Sequence, residues 1–200
     1  MKETEDEPET GGNPTAIKLL VVSLSLFLAL FHLYTGVFGT LDAMLQRSIH
    51  LGVALLLIFL IYPANKKSNG ALGASNYIFL VLTIGTMGYL YWNHEYLSQE
   101  YIAYVGPVTW IQATFGVSLI FVVLEGVRRA LGLALAIVVA VFIVYYIVGP
   151  FLPTGGIGYP ALGLSIFIDN HFLTTDGMFG LALGISATFL PLFIIFGRIM

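Results

Sequence analysis

Two histidines lie inside long apolar runs, His32 in Phe31-His32-Leu33 and His50 just after Arg47-Ser48-Ile49. Imidazole is the side chain whose charge changes most readily near neutral pH. Inside a greasy segment, such a ring suits the carriage of protons. The plainer reading is that His32 donates to a neighbouring helix and His50 sits at a membrane boundary beside Arg47. Asp42 and Arg47 fall in one expected loop, where they either pair or offer a docking contact. An exposed pair contributes only about 0–1 kcal/mol.

Charge is densest in Glu125-Gly126-Val127-Arg128-Arg129. On a helix Glu125 and Arg129 share a face, so the cluster reads as a topology anchor with an internal ion pair. It is also a candidate hinge between two membrane subdomains, or a contact for anionic lipid. Asp169, Asn170, His171 and Asp176 place two carboxylates and one imidazole close in sequence, but their spacing matches no metal geometry; a polar turn at the water boundary is expected. Gly180 and Gly184 are four residues apart, the spacing of small residues that lets helices approach closely. Pro191 would free a backbone carbonyl in the same helix. Cysteine is absent, so disulfides, thiol nucleophiles and Cys-based metal centres are excluded. Neither a Gly-x-Ser-x-Gly elbow nor a phosphate-binding glycine loop with its lysine occurs, and the chain reads as no enzyme.

The elements that must hold these residues are membrane helices. The 200 residues are 58% hydrophobic and only 10% charged, too few charges to cover a water-soluble surface. The net charge of -3 comes from the acidic first residues, and the remainder is close to neutral, with no basic face for nucleic acid. Residues 1–15 read as a disordered acidic tail.

Crossing a hydrocarbon core of about 30 Å takes about 20 helical residues. Six blocks qualify: residues 17–38, 48–64, 71–92, 101–124, 130–152 and 177–197. The expected class is therefore an all-α integral membrane protein of about six transmembrane helices. A seventh apolar run, 157–168, is too short to span and is expected to be an interfacial or re-entrant segment. With the N-terminus in the cytoplasm, Lys2, Lys18, Lys66, Lys67, Arg128, Arg129 and Arg198 fall inside and only Arg47 outside. Tyr89, Tyr91 and Trp92 then close the third block, while Tyr101, Tyr104 and Trp110 open the fourth. Loops 39–47 and 93–100 face outward as docking candidates.

Several residues and spacings resemble the fused permeases of tripartite ATP-independent periplasmic (TRAP) transporters, in the branch that works with TAXI-type binding proteins. They are Arg47-x-x-His50, Tyr62-Pro63, Glu125-Gly126-x-Arg128-Arg129-x-x-Gly132, residues 145–149, Thr175-x-Gly177-x-Phe179-Gly180, Ser186-Ala187-Thr188-Phe189 and residues 193–197. The order and spacing of these apolar patterns carry the likeness, which covers most of the chain beyond the tail. The resemblance implies an inner-membrane permease fed by a periplasmic TAXI-type binding protein and driven by sodium. It also implies a small four-helix domain, here 16–129, bracing a larger transport domain that begins at 130–200. Substrate and sodium ligands of such permeases lie in later hairpins, so none is assigned to these residues, and the chain is expected to be the opening part of a longer polypeptide. The alternative is a free-standing six-helix assembly subunit or small channel.

Overall fold

In lipid, each apolar block has to close its own backbone hydrogen bonds, and helix is the local solution throughout. The computed structural model describes residues 14–62, 73–152, 158 and 163–200. Its helices are α1 (Pro14–Phe38), α2 (Ala43–Ile61), α3 (Ala74–Glu95), α4 (Trp110–Ala130), α5 (Leu133–Val148), the short α6 (Leu164–Ile168) and α7 (Leu181–Ile199). The chain is an all-α membrane protein, and five of these helices, α1, α2, α4, α5 and α7, are long and apolar enough to cross a bilayer. α3 has the length, 22 residues, but Asn76 near its start and Asn93, His94 and Glu95 at its end lower its hydropathy. The acidic tail, Lys66, Lys67 and most of the glycine-rich stretch before α6 lie outside the described residues.

Three helix starts, those of α2, α4 and α7, lie further from the sequence expectation than the others, each for a local reason. α2 begins at Ala43 rather than residue 48, because the Asp42 carboxylate accepts from the Met44 and Leu45 amides at 3.0 and 3.4 Å and caps the helix. Arg47 therefore belongs to a helix and not to a loop. α4 begins at Trp110 rather than residue 101. Pro107 breaks the approach, and Thr109 closes a capping box with Gln112, whose amide reaches the threonine hydroxyl at 3.3 Å. The expected loop 93–100 is helical instead: α3 runs to Glu95 and continues into a wider π-helical turn, Tyr96–Glu100. The non-helical connection is 101–109. α7 begins at Leu181 rather than residue 177, after a turn in which the Gly177 amide donates to Asn170 O at 2.8 Å and the Gly180 amide to Gly177 O at 2.9 Å.

Since lipid tails are as apolar as leucine, helices in a bilayer associate through close packing and hydrogen bonds rather than through escape from solvent. α2, α3 and α4 form the packed centre, built on Leu55, Phe59, Leu90, Leu119 and Val122. α6 and the π-helical turn that follows it, Asp169–Leu173, insert Ile168 and Phe172 against α4. Gly116 makes this possible, since a Cβ there would meet Ile168 at 2.9 Å. Of the apolar run 157–168 only residues 158 and 163–168 are described, and there Phe167 and Ile168 are buried in the bundle. α1 and α7 pack against each other and against α2. α5 touches the bundle mainly along α4 and buries only Ala136 on its own length. Trp92 and Trp110, 85% and 90% exposed, mark the facing ends of α3 and α4, where amphipathic rings favour a headgroup boundary.

Candidate functional site

Among the described residues, an uncharged polar cluster forms within the apolar helices where α1, α2 and α7 meet. On α1, His32 and Thr35 are one turn apart and both 3% exposed. On α2, Gln46 and His50 are also one turn apart, so two short polar stripes face each other. His32 Nε2 and His50 Nδ1 are 2.9 Å apart, and His50 Nε2 lies 3.2 Å from Ser186 Oγ of α7. Gln46 donates from Nε2 to Thr35 Oγ1 at 3.2 Å and to the Ala187 carbonyl at 2.9 Å. Arg47 donates to the Phe179 carbonyl. Three helices are thus joined by side-chain bonds across their interface. Two buried atoms of the cluster keep no partner, His32 Nδ1 and Gln46 Oε1.

The glycine pair of α7 has two distinct jobs. Gly184 opens the helix surface to the Arg47 guanidinium, which a Cβ would meet at 2.9 Å. Gly180 precedes the helix as its N-cap, and a Cβ there would meet Asp176 O at 2.6 Å. Gly184 thus admits a side chain rather than a facing backbone, and Gly180 lies against the carbonyls of its own preceding turn. Asp42 and Arg47 form no ion pair with each other: one caps α2 and the other crosses to Phe179.

At the end of α4 the expected charge cluster assembles fully. Arg128 Nε and Arg129 Nε each lie 2.7 Å from the Glu125 carboxylate. Arg129, with a side chain only 2% exposed, also donates to Asn76 Oδ1 at 2.7 Å and to the Tyr62 carbonyl at 3.3 Å. Its guanidinium carbon stands 5.0 Å from the Phe59 ring centre and 5.4 Å from that of Phe79, within cation–π range. Sequence spacing made the Glu125–Arg129 pair legible, whereas Asn76 and the two rings come from other helices.

A third cluster ties the 101–109 connection to the segment after α6. Asp169, fully buried, accepts from the Tyr101 hydroxyl and, at 3.1 Å, from the Tyr104 amide. Tyr104 holds a left-handed φ of 65° and donates its hydroxyl to Asp176 at 3.0 Å. Burial, then the bond to the Asp169 carboxylate, push the Tyr101 phenol far above its ordinary value. His171 instead turns toward Phe167, its Nδ1 3.0 Å from the Phe167 carbonyl. Among the described residues no three His, Asp or Glu side chains gather as metal ligands.

Compared with known proteins, the chain matches no family model, no curated protein and no solved structure.

Proposed function

We propose that this chain is the amino-terminal part of a TRAP-type permease. In that reading it serves in the inner membrane, N-terminus in the cytoplasm, as the brace against which a transport domain works. One observation carries the reading: Arg47, His50, Phe179, Ser186 and Ala187, all within the stretches that carry the family likeness, meet at one polar joint. That joint fastens the α1–α2 pair to the last described helix. A brace needs such a fastening, with a wide apolar surface left for lipid and for the rest of the transport domain. α5 and α7 offer that surface, with Phe142, Ile147, Leu181 and Phe193 all strongly exposed.

The docking face for a TAXI-type binding protein would then be the exposed turn around Thr40, Leu41 and Asp42, with Ile102 and Val105 of the 101–109 connection. The complete permease and its binding protein, reconstituted in proteoliposomes, are expected to accumulate a small organic solute when a sodium gradient is imposed. Substituting Arg47→Ala is expected to reduce the uptake rate while leaving binding-protein docking intact. Failure of sodium to drive any uptake overturns the permease reading. Ion conductance through the chain alone in planar bilayers would favour the small channel instead.

A further inference from the structure

We propose that the cleft between α2 and α7 at Arg47 is a binding site for one phospholipid, held by its phosphodiester and by one acyl chain. This goes beyond the brace reading and does not depend on it. Arg47 is partly buried one turn into α2, about 6 Å past the helix start at Ala43. Its only hydrogen bond runs from Nη1 to the Phe179 carbonyl. The remaining edge, Nε with Nη2, carries the two parallel N–H groups that fit two oxygens of a phosphate, and it meets no protein acceptor. No carboxylate balances the charge. Asp42 caps α2, and both ion pairs among the described residues belong to Glu125. A cation left this way among apolar helices is costly until an anion joins it.

α7 adds to the demand. Its first amides receive no side-chain cap, because Gly180 is the N-cap, and Phe179 immediately precedes that glycine. The Arg47 head group also lies across Gly184, where a Cβ would stand 2.9–3.0 Å from Nη2, the guanidinium carbon and Nε. A guanidinium is thus set beside the positive end of a helix dipole. The two repel unless a negative group joins them.

The cleft has room and a wall for the rest of the molecule. Its volume is about 210 Å³, and Gln46, Arg47, Leu181, Gly184, Ile185 and Phe189 are among its lining residues. Gln46, only 2% exposed, keeps an unpartnered Oε1, an acceptor for a headgroup hydrogen or for a water held with it. Leu181, Ile185 and Phe189 are all exposed and recur every four residues, an apolar stripe about 12 Å long down α7. The depth also suits a lipid. Asp42 and Met44 share a second cleft with Leu97 and Tyr101, so Arg47 lies at the end of the molecule that carries Trp92 and Trp110. Those rings mark the headgroup boundary. From that level a phosphate at Arg47 leaves its acyl chain along the stripe, toward the middle of the bilayer. A soluble anion would fill the guanidinium edge and leave the stripe bare.

The test is native mass spectrometry of the whole chain released from nanodiscs of phosphatidylethanolamine and phosphatidylglycerol. One phospholipid per chain is expected to stay bound after the bulk lipid is stripped, and excess inorganic phosphate is expected not to displace it. Arg47→Gln is expected to lower retention about tenfold, through loss of the charge-assisted bonds. Ile185→Trp leaves the Arg47 edge in place but obstructs the stripe, and it is expected to lower retention as well. Arg128→Gln, in the exposed arm of the α4 cluster, is expected to leave retention unchanged. The proposal is overturned if the unaltered chain keeps no lipid, or covers the stripe by pairing with a second copy. Displacement by inorganic phosphate, full retention in both Arg47→Gln and Ile185→Trp, or equal losses at Arg47 and Arg128 would overturn it too. Retention is read without uptake, so it stands or falls apart from the permease reading.

Discussion

At the end of α4, two guanidinium groups and a carboxylate meet at 2.7 Å beside an asparagine and two aromatic faces. At the α1–α2–α7 joint, the groups that touch are two imidazoles, an amide, two hydroxyls and backbone carbonyls, and the one charge present, Arg47, bonds to a carbonyl. Both clusters link distant parts of the sequence, yet they differ in what they permit. A buried guanidinium held by a carboxylate has one protonation state and one geometry. A neutral cluster with unfilled acceptors can change its hydrogens without being torn apart. The α4 end fixes; the joint can be set.

The contrast is broken most directly at Glu125. Glu125→Gln leaves the Arg129 guanidinium buried without its carboxylate, and about 3–5 kcal/mol of stability is expected to be lost. The unfolding midpoint in mixed detergent micelles measures it, and a loss no greater than that at Gln46 would erase the distinction. Gly184→Val is expected to cost about 1–3 kcal/mol by driving Arg47 away from Phe179. Its readout is the same midpoint, together with faster amide exchange at the start of α7. Gln46→Leu removes two interhelical bonds, each worth about 0.6 kcal/mol by comparison with other membrane helices, so the joint is expected to loosen without unfolding. Arg128→Gln is expected to have the smallest effect, about 0–1 kcal/mol, because its side chain is 43% exposed where that of Arg129 is 2%. A loss at Arg128 equal to that at Glu125 would mean that the anchor lies in the exposed arm.

The apolar blocks make the membrane class and most helix centres legible from residue order alone. Helix starts are less legible, because a charge suggests a loop and aromatic rings suggest a helix end at the headgroup boundary. Arg47 reads as part of a connection since a cation is costly in lipid, but Gly184 leaves space for its head group and Phe179 O receives it. Tyr101 and Tyr104 suggest a helix end, although the Gly106-Pro107 break and the Thr109 cap lie after them. Of the candidate sites, the α4 cluster was written in local spacing. The joint was not, since His32 and His50 come from different helices and Ser186 lies far along the chain. A signal did exist: His32 with Thr35, and Gln46 with His50, are polar pairs one turn apart on otherwise greasy faces.

Three residues beyond Arg129, Gly132 adopts a φ of +96°, and α5 starts at once. With little of α5 buried, its heading is dictated less by the surfaces it touches than by the handedness of that single elbow. Any L-amino acid with a side chain at 132 would resist this mirror-image torsion. The route of an entire membrane crossing is thus entrusted to the one achiral residue in the alphabet.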